Sequence, residues 1–144
     1  MNRLPTNARG LILDMDGVLW ADSAALIDLP ATFSRFKELG LAVTLATNNG
    51  TRTIDQYVEK LAGFGVCIEP WQIITSALAV AEMVANRFPA GTPLFAIGGE
   101  GVMQALHEKG FELLSVEHAE KAEAVIFGID RAINFDKMKE ATLL

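Results

Sequence analysis

The chain has 144 residues, 51% of them hydrophobic, with a mean hydropathy of +0.29 and a formal net charge of −6. That acidic balance leaves no basic stripe to neutralise a phosphate backbone, which excludes general nucleic-acid binding. The single cysteine, Cys67, excludes an intrachain disulfide and a Cys-rich zinc site.

Taken in chain order, residues 1–7 lack the long apolar segment of a secretion signal, and no later run approaches transmembrane length. Cytoplasm is therefore the expected location, with no membrane and no nucleic acid among the partners. Leu11-Ile12-Leu13, after Gly10, reads as a strand buried on both faces, as in a parallel sheet covered by helices. It runs into Asp14-Met15-Asp16-Gly17, placing two carboxylates two residues apart at the strand end. Extended residues i and i+2 point to one side, so Asp14 and Asp16 can converge on one cation if strand geometry persists that far. The ordinary alternative is that both are turn or cap residues.

Leu29, Phe33, Phe36 and Leu39 then fall at helical spacing, closed by Gly40. The next apolar run, Leu41 to Ala46, ends in Thr47-Asn48-Asn49-Gly50-Thr51-Arg52. The interval between the two runs accommodates one crossover helix, which returns the second strand parallel to the first. Both polar clusters then lie at the edge where open parallel sheets bind ligands, and the hydroxyl and amide donors of the second suit phosphate oxygens.

Thr53-Ile54-Asp55-Gln56 has the form of a capping box, followed by Tyr57, Val58 and Leu61 on one face. Thr53 is thus expected to be structural, and Arg52 is the better candidate for a substrate or interdomain contact. Cys67 is expected as a packed apolar thiol. Ile73-Ile74 reads as a short strand, with Ser76 capping a helix that carries Leu78, Ala81, Val84 and Phe88 and stops at Pro89. Pro93 to Gly101 is a strand, a glycine turn and a helix start. Its spacing is not GxGxxG, and Glu100 suits a helix amino terminus better than a pyrophosphate site. His107 and His118 have no metal-site surroundings and are expected in solvent. Phe135, Met138, Ala141 and Thr142 fall at helical spacing, and the chain ends at Leu144 without a capping Gly or Asn.

With these motifs in place, the sequence resembles the haloacid dehalogenase (HAD) superfamily of phosphohydrolases. Asp14-Met15-Asp16-Gly17-Val18-Leu19 looks like its first motif and Thr47-Asn48-Asn49 like its second. The longer runs Asp16-Gly17-Val18-Leu19-Trp20, Thr47 to Arg52, Ile97-Gly98-Gly99-Glu100-Gly101 and Val125 to Arg131 resemble the p-nitrophenyl phosphatase, phosphoglycolate phosphatase and pyridoxal phosphatase branch.

The resemblance implies an α/β fold: a Rossmann-like parallel sheet core, with the beginning of an inserted α/β cap domain. Residues 1–91 would be the amino-terminal part of the core and 92–144 the first part of the cap. It implies a Mg²⁺-dependent phosphatase acting on a small phosphorylated metabolite, with Asp14 as nucleophile and metal ligand. Asp16 would be the general acid and base, and its main-chain carbonyl the second metal ligand. Thr47 and the backbone near Asn48 would hold the phosphoryl group, with Asn49 and Arg52 contacting substrate. Residues 20–29 would form a flap beside the nucleophile, with Trp20 either packed beneath it or gating the pocket.

The family's lysine, in a Gly-Lys-Pro context, and its late acidic pair do not appear. Asp130 and Asp136 have the wrong spacing and by resemblance belong to the cap. The pattern reads as the amino-terminal portion of a longer protein, and the 144-residue chain alone is expected to be inactive. Apolar surface left uncovered favours association, with a homo-oligomer expected. The second function class is a catalytically incomplete fragment or pseudoenzyme acting as a phosphate-binding or assembly module.

Overall fold

The computed structural model describes residues 7–144; residues 1–6, on which most of the amino-terminal reading rests, lie outside the described residues. The elements run β1 (Gly10–Asp14), β2 (Trp20–Ala21), β3 (Ala24–Ala25), α1 (Leu29–Glu38), β4 (Ala42–Thr47), α2 (Ile54–Gly63), β5 (Ile73–Thr75), α3 (Ser76–Ala85), β6 (Pro93–Ile97), α4 (Glu100–Glu108), β7 (Glu112–Leu113), β8 (Ala124–Phe127) and α5 (Phe135–Leu143). They divide into two compact units, one of residues up to Thr47 with Ile54–Ile74, the other of Asn48–Thr53 with Thr75–Leu144.

In the first unit the sheet order is β1-β4-β5. β1 and β4 pair in parallel, with Leu11 opposite Val43, Leu13 opposite Leu45 and Asp14 opposite Ala46. The connection is α1, started by Asp28, whose carboxylate accepts from Ala31 N at 3.0 Å, and by Pro30 in its first turn. It stops at Gly40, where φ is +67°. Paired residues of a parallel ladder share a face, so Leu11, Leu13, Val43 and Leu45 line one side. There Val43 and Leu45 are buried with Leu29 of α1 and with Tyr57 and Leu61 of α2.

The other side of β1 is open. Ile12 is 77% exposed, which corrects the expectation of a strand buried on both faces: β1 is an edge strand whose second face is uncovered within this unit. Two neighbouring expectations also change. Leu39 lies past the end of α1 and is 50% exposed, leaving Leu29, Phe33 and Phe36 as the packed stripe. Cys67 is exposed instead of packed: after the turn at Gly65, Val66 and Ile68 turn inward and Cys67 between them faces solvent.

The second unit has the parallel order β7-β6-β8. Leu94 and Ala96 of β6 share a core with Ala77, Ala81 and Val84 of α3 and Val102, Ala105 and Leu106 of α4. The 91/92 division therefore falls inside this unit, between α3 and β6. Thr75, one residue earlier than expected, caps α3 by accepting from Leu78 N at 3.2 Å. The helix ends at Ala85, before Pro89 is reached. Strand β6, the glycine turn and α4 follow the sequence reading, with Gly99 as the cap residue and Glu100 in the first turn. Both histidines are exposed. No helix among the described residues is long and apolar enough to cross a membrane.

Candidate active site

Asp14 is the last residue of β1, and the alternation of the strand continues past it. Asp14 is exposed, Met15 is buried with no exposure, and Asp16 is exposed again. The buried Met15 anchors the turn: its carbonyl accepts from Leu19 N at 2.9 Å and from Val18 N at 3.3 Å. Gly17, at φ +80°, supplies the left-handed residue that this tight return needs. The return carries the chain into the β2–β3 hairpin, where Trp20 is fully buried.

Thr47 is the last residue of β4 and is buried. Its Oγ1 donates to Asp16 Oδ2 at 3.4 Å, while the indole Nε1 of Trp20 donates to Asp16 Oδ1 at 2.8 Å. Residues from the first and second sequence motifs thus meet at the carboxyl ends of adjacent parallel strands. The reason is topological: the α1 crossover returns β4 beside β1 in the same direction, so both strand ends open at one edge.

The remaining predicted residues belong to the second unit. Ser76, expected as a cap, instead donates from Oγ to the carbonyl of Asn48 at 2.8 Å and holds the first residue of the loop. Asn49 Oδ1 accepts from Thr51 N at 3.1 Å and from Thr51 Oγ1 at 2.7 Å, an Asx turn that shapes the loop from within. Asn48 and Arg52 are exposed, whereas Thr53 is buried directly before α2.

The glycines of the later turn support this same loop. A Cβ on Gly101 would overlap the Arg52 carbonyl oxygen, and one on Gly99 would stand 2.7 Å from Thr51 Cα. Gly101 N also donates to the Thr51 carbonyl at 3.3 Å. The Gly-Gly-Glu-Gly run is thus a backbone-to-backbone seat for residues 50–52. The spacing of the glycines was the visible signal; which segment they admit was not.

Asp130 has a local task. Its Oδ2 accepts from Lys137 Nζ at 2.6 Å, and its Oδ1 accepts from Ala132 N at 2.8 Å. The hydrogen bond from Lys137, with that from Ala132, holds its carboxyl below the usual aspartate value. Asp136 is exposed in the first turn of α5. Among the described residues no group of three or more His, Cys, Asp or Glu is gathered as a metal cage.

An α/β protein with parallel strands, an aspartate pair after the first strand and a hydroxyl after its neighbour belongs to the class that places its chemistry at strand carboxyl ends. The particular family follows from comparison. Residues 11–112 match the family model described as haloacid dehalogenase-like hydrolase, and the chain belongs to that family. It is 28% identical over 135 residues to the acid sugar phosphatase of Staphylococcus aureus, an alignment covering 94% of this chain and 51% of that protein. A hypothetical protein from Pyrococcus horikoshii OT3 matches with a TM-score of 0.85 at 31% identity, over 94% of this chain and 53% of the other. A p-nitrophenyl phosphatase from Archaeoglobus fulgidus matches with a TM-score of 0.81 at 29% identity, over 93% and 50%. The chain spans about half the length of each.

Proposed function

We propose that this chain carries the nucleophile-bearing half of a Mg²⁺-dependent phosphatase for small phosphomonoesters. The observation that carries the reading is the hydrogen bond between Asp16 and Thr47, which joins the two motifs at the edge where Asp14 ends its strand. The phosphatase names of the relatives from S. aureus and A. fulgidus support it.

In this reading an Asp14 carboxylate oxygen attacks phosphorus and forms an aspartyl-phosphate. As the bond from phosphorus to the leaving oxygen breaks, Asp16 gives that oxygen a proton. Asp16 then takes a proton from the water that hydrolyses the intermediate. Thr47 and the backbone at Asn48 hold phosphoryl oxygens, while Asn49 and Arg52 set substrate preference. Residues 1–91 act as part of the core, and residues 92–144 as the first part of the cap that selects substrate.

The donors on offer for a metal are hard oxygens, the Asp14 carboxylate and the Asp16 main-chain carbonyl. That set of hard oxygens fits Mg²⁺, which retains waters and takes phosphate oxygens as ligands. When bound, the ion offsets negative charge on the transferring group.

The test is to trap the protein expressed from its complete reading frame with beryllofluoride and locate the adduct crystallographically. The adduct is expected on Asp14, with Asp14→Asn forming no phosphoenzyme; an adduct on another residue would overturn the assignment.

A further inference from the structure

We propose that Trp20 is a positioning residue for Asp16, fixing its carboxylate through the indole N–H, with Lys60 locking Trp20 and the β2–β3 hairpin in that pose. This rests on the phosphatase reading above. Trp20 has no exposed surface, so its indole N–H needs an internal acceptor. The acceptor it finds is Asp16 Oδ1, at 2.8 Å.

Among its contacts, Asp16 Oδ1 accepts from the buried indole at 2.8 Å and Oδ2 accepts from Thr47 Oγ1 at 3.4 Å. An N–H donor on Oδ1 is satisfied by the acid, through its carbonyl oxygen, as well as by the carboxylate. The indole bond therefore fixes the Asp16 side chain whether or not the carboxyl holds its proton. When Thr47 Oγ1 turns to a phosphoryl oxygen, the bond to Trp20 remains.

Trp20 is itself fixed from α2. Its ring stacks on Phe64, with centroids 5.9 Å apart and planes 25° from parallel. The Lys60 ammonium lies 4.2 Å from the ring centroid and donates to the Asp22 carbonyl at 2.8 Å. Asp22 is the hairpin residue with φ +51°. A cation over an indole face draws on its π-density and strengthens the N–H as a donor. One lysine thus ties the hairpin tip, the indole and, through it, the Asp16 carboxylate.

The test compares substrates by leaving group in the protein expressed from its complete reading frame. Trp20→Phe keeps an aromatic ring for Phe64 and Lys60 but has no donor. An alkyl phosphate needs its leaving oxygen protonated, whereas p-nitrophenolate leaves with little help. The variant should slow phosphoenzyme formation from glycerol phosphate, followed in a single turnover, by about 10-fold or more, a share of the roughly 10²–10⁴-fold that general acid catalysis supplies. Phosphoenzyme formation from p-nitrophenyl phosphate should slow several-fold less, while hydrolysis of the intermediate, in which Asp16 takes a proton from water, should slow equally for both. Benzothienylalanine at position 20 keeps the bicyclic shape without the N–H and should reproduce the same selectivity if the phenylalanine variant folds poorly. Equal slowing of phosphoenzyme formation on both substrates, or wild-type phosphoenzyme formation from glycerol phosphate in the benzothienylalanine protein, overturns the positioning role. An Asp14→Asn control with wild-type turnover instead sinks the nucleophile reading, and the Trp20 role with it.

Discussion

At the scale of single residues, Thr47 is placed by its strand and not by its own preference. It ends β4 on the same face as Val43 and Leu45, so its methyl group continues the buried stripe while its hydroxyl reaches Asp16. Thr47→Val keeps that shape and removes only the hydroxyl. It should lower kcat/KM of the complete enzyme by a factor corresponding to roughly 2 to 4 kcal/mol, the scale of losing one preorganised donor. Unchanged kcat/KM would remove Thr47 from the site. Asp130 has a stability role that pH exposes. Its carboxyl is held below the usual aspartate value by Lys137, then Ala132 N, so the folded state binds the proton less readily than the unfolded chain. The stabilisation is complete above the ordinary aspartate pKa of about 4 and fades as pH falls through the lower folded value. Asp130→Asn should therefore lower the unfolding free energy near neutrality by up to about 1 kcal/mol, the scale of an ion pair open to solvent. The gap from wild type should close in acid. A gap that persists at the lowest pH at which both proteins fold would show that the pair is not its source.

Among the elements, the glycine turn before α4 shows how one segment limits another. Gly101 has no room for a side chain because the Arg52 carbonyl occupies that position, so Gly101→Ala must displace residues 50–52 or the start of α4. Overpacking of this kind costs about 1–3 kcal/mol. Amide chemical-shift changes should concentrate at residues 48–53 and 99–103. Gly63→Ala is the matched control: outside its own helix and chain neighbours, no described residue lies within 4 Å of where its Cβ would stand at the end of α2. It should be neutral or stabilising by up to about 1 kcal/mol. Similar losses for both variants would show that the effect is generic to added methyl groups. Helix α3 carries a related lesson. Its cap is Thr75, which frees Ser76 to hold the Asn48 carbonyl, and sequence alone does not choose between two adjacent hydroxyl residues.

For the whole molecule, the open face of β1 and the half-length match to relatives lead to one expectation. Asp14 shares the parity of Ile12 along the strand, on the side that no helix of the first unit covers. A polypeptide of these 144 residues alone should turn over p-nitrophenyl phosphate far below the usual enzyme range of about 1–10³ s⁻¹, even with millimolar Mg²⁺. The motivation is the absence of the lysine and late acidic pair that the family resemblance calls for. Each would stabilise charge on the phosphoryl group, and one such group is typically worth about 10²–10³ in rate. Turnover within the normal range, abolished by Asp14→Asn, would show that other residues supply those groups.

Sequence alone determined the parallel pairing of β1 and β4, the crossover α1, the strand–turn–helix at Pro93 to Gly101 and the family. Each of these is local periodicity or a spacing that chain connectivity converts into geometry. It also named Asp14, Asp16, Thr47, Asn48, Asn49 and Arg52 as the residues to examine. Tertiary structure decided what periodicity does not encode. Ile12 has the composition of a doubly buried strand, yet its exposure depends on whether another layer covers it. Val66 turns inward while Cys67 faces solvent, because the Gly65 turn sets the direction of the following chain. The indole of Trp20, the hydroxyl of Thr47 and the ammonium of Lys60 converge around Asp16 and its hairpin because a loop, a strand end and a helix arrive there together. Convergence of segments distant in sequence is a property of packing, and no single segment carries its signature.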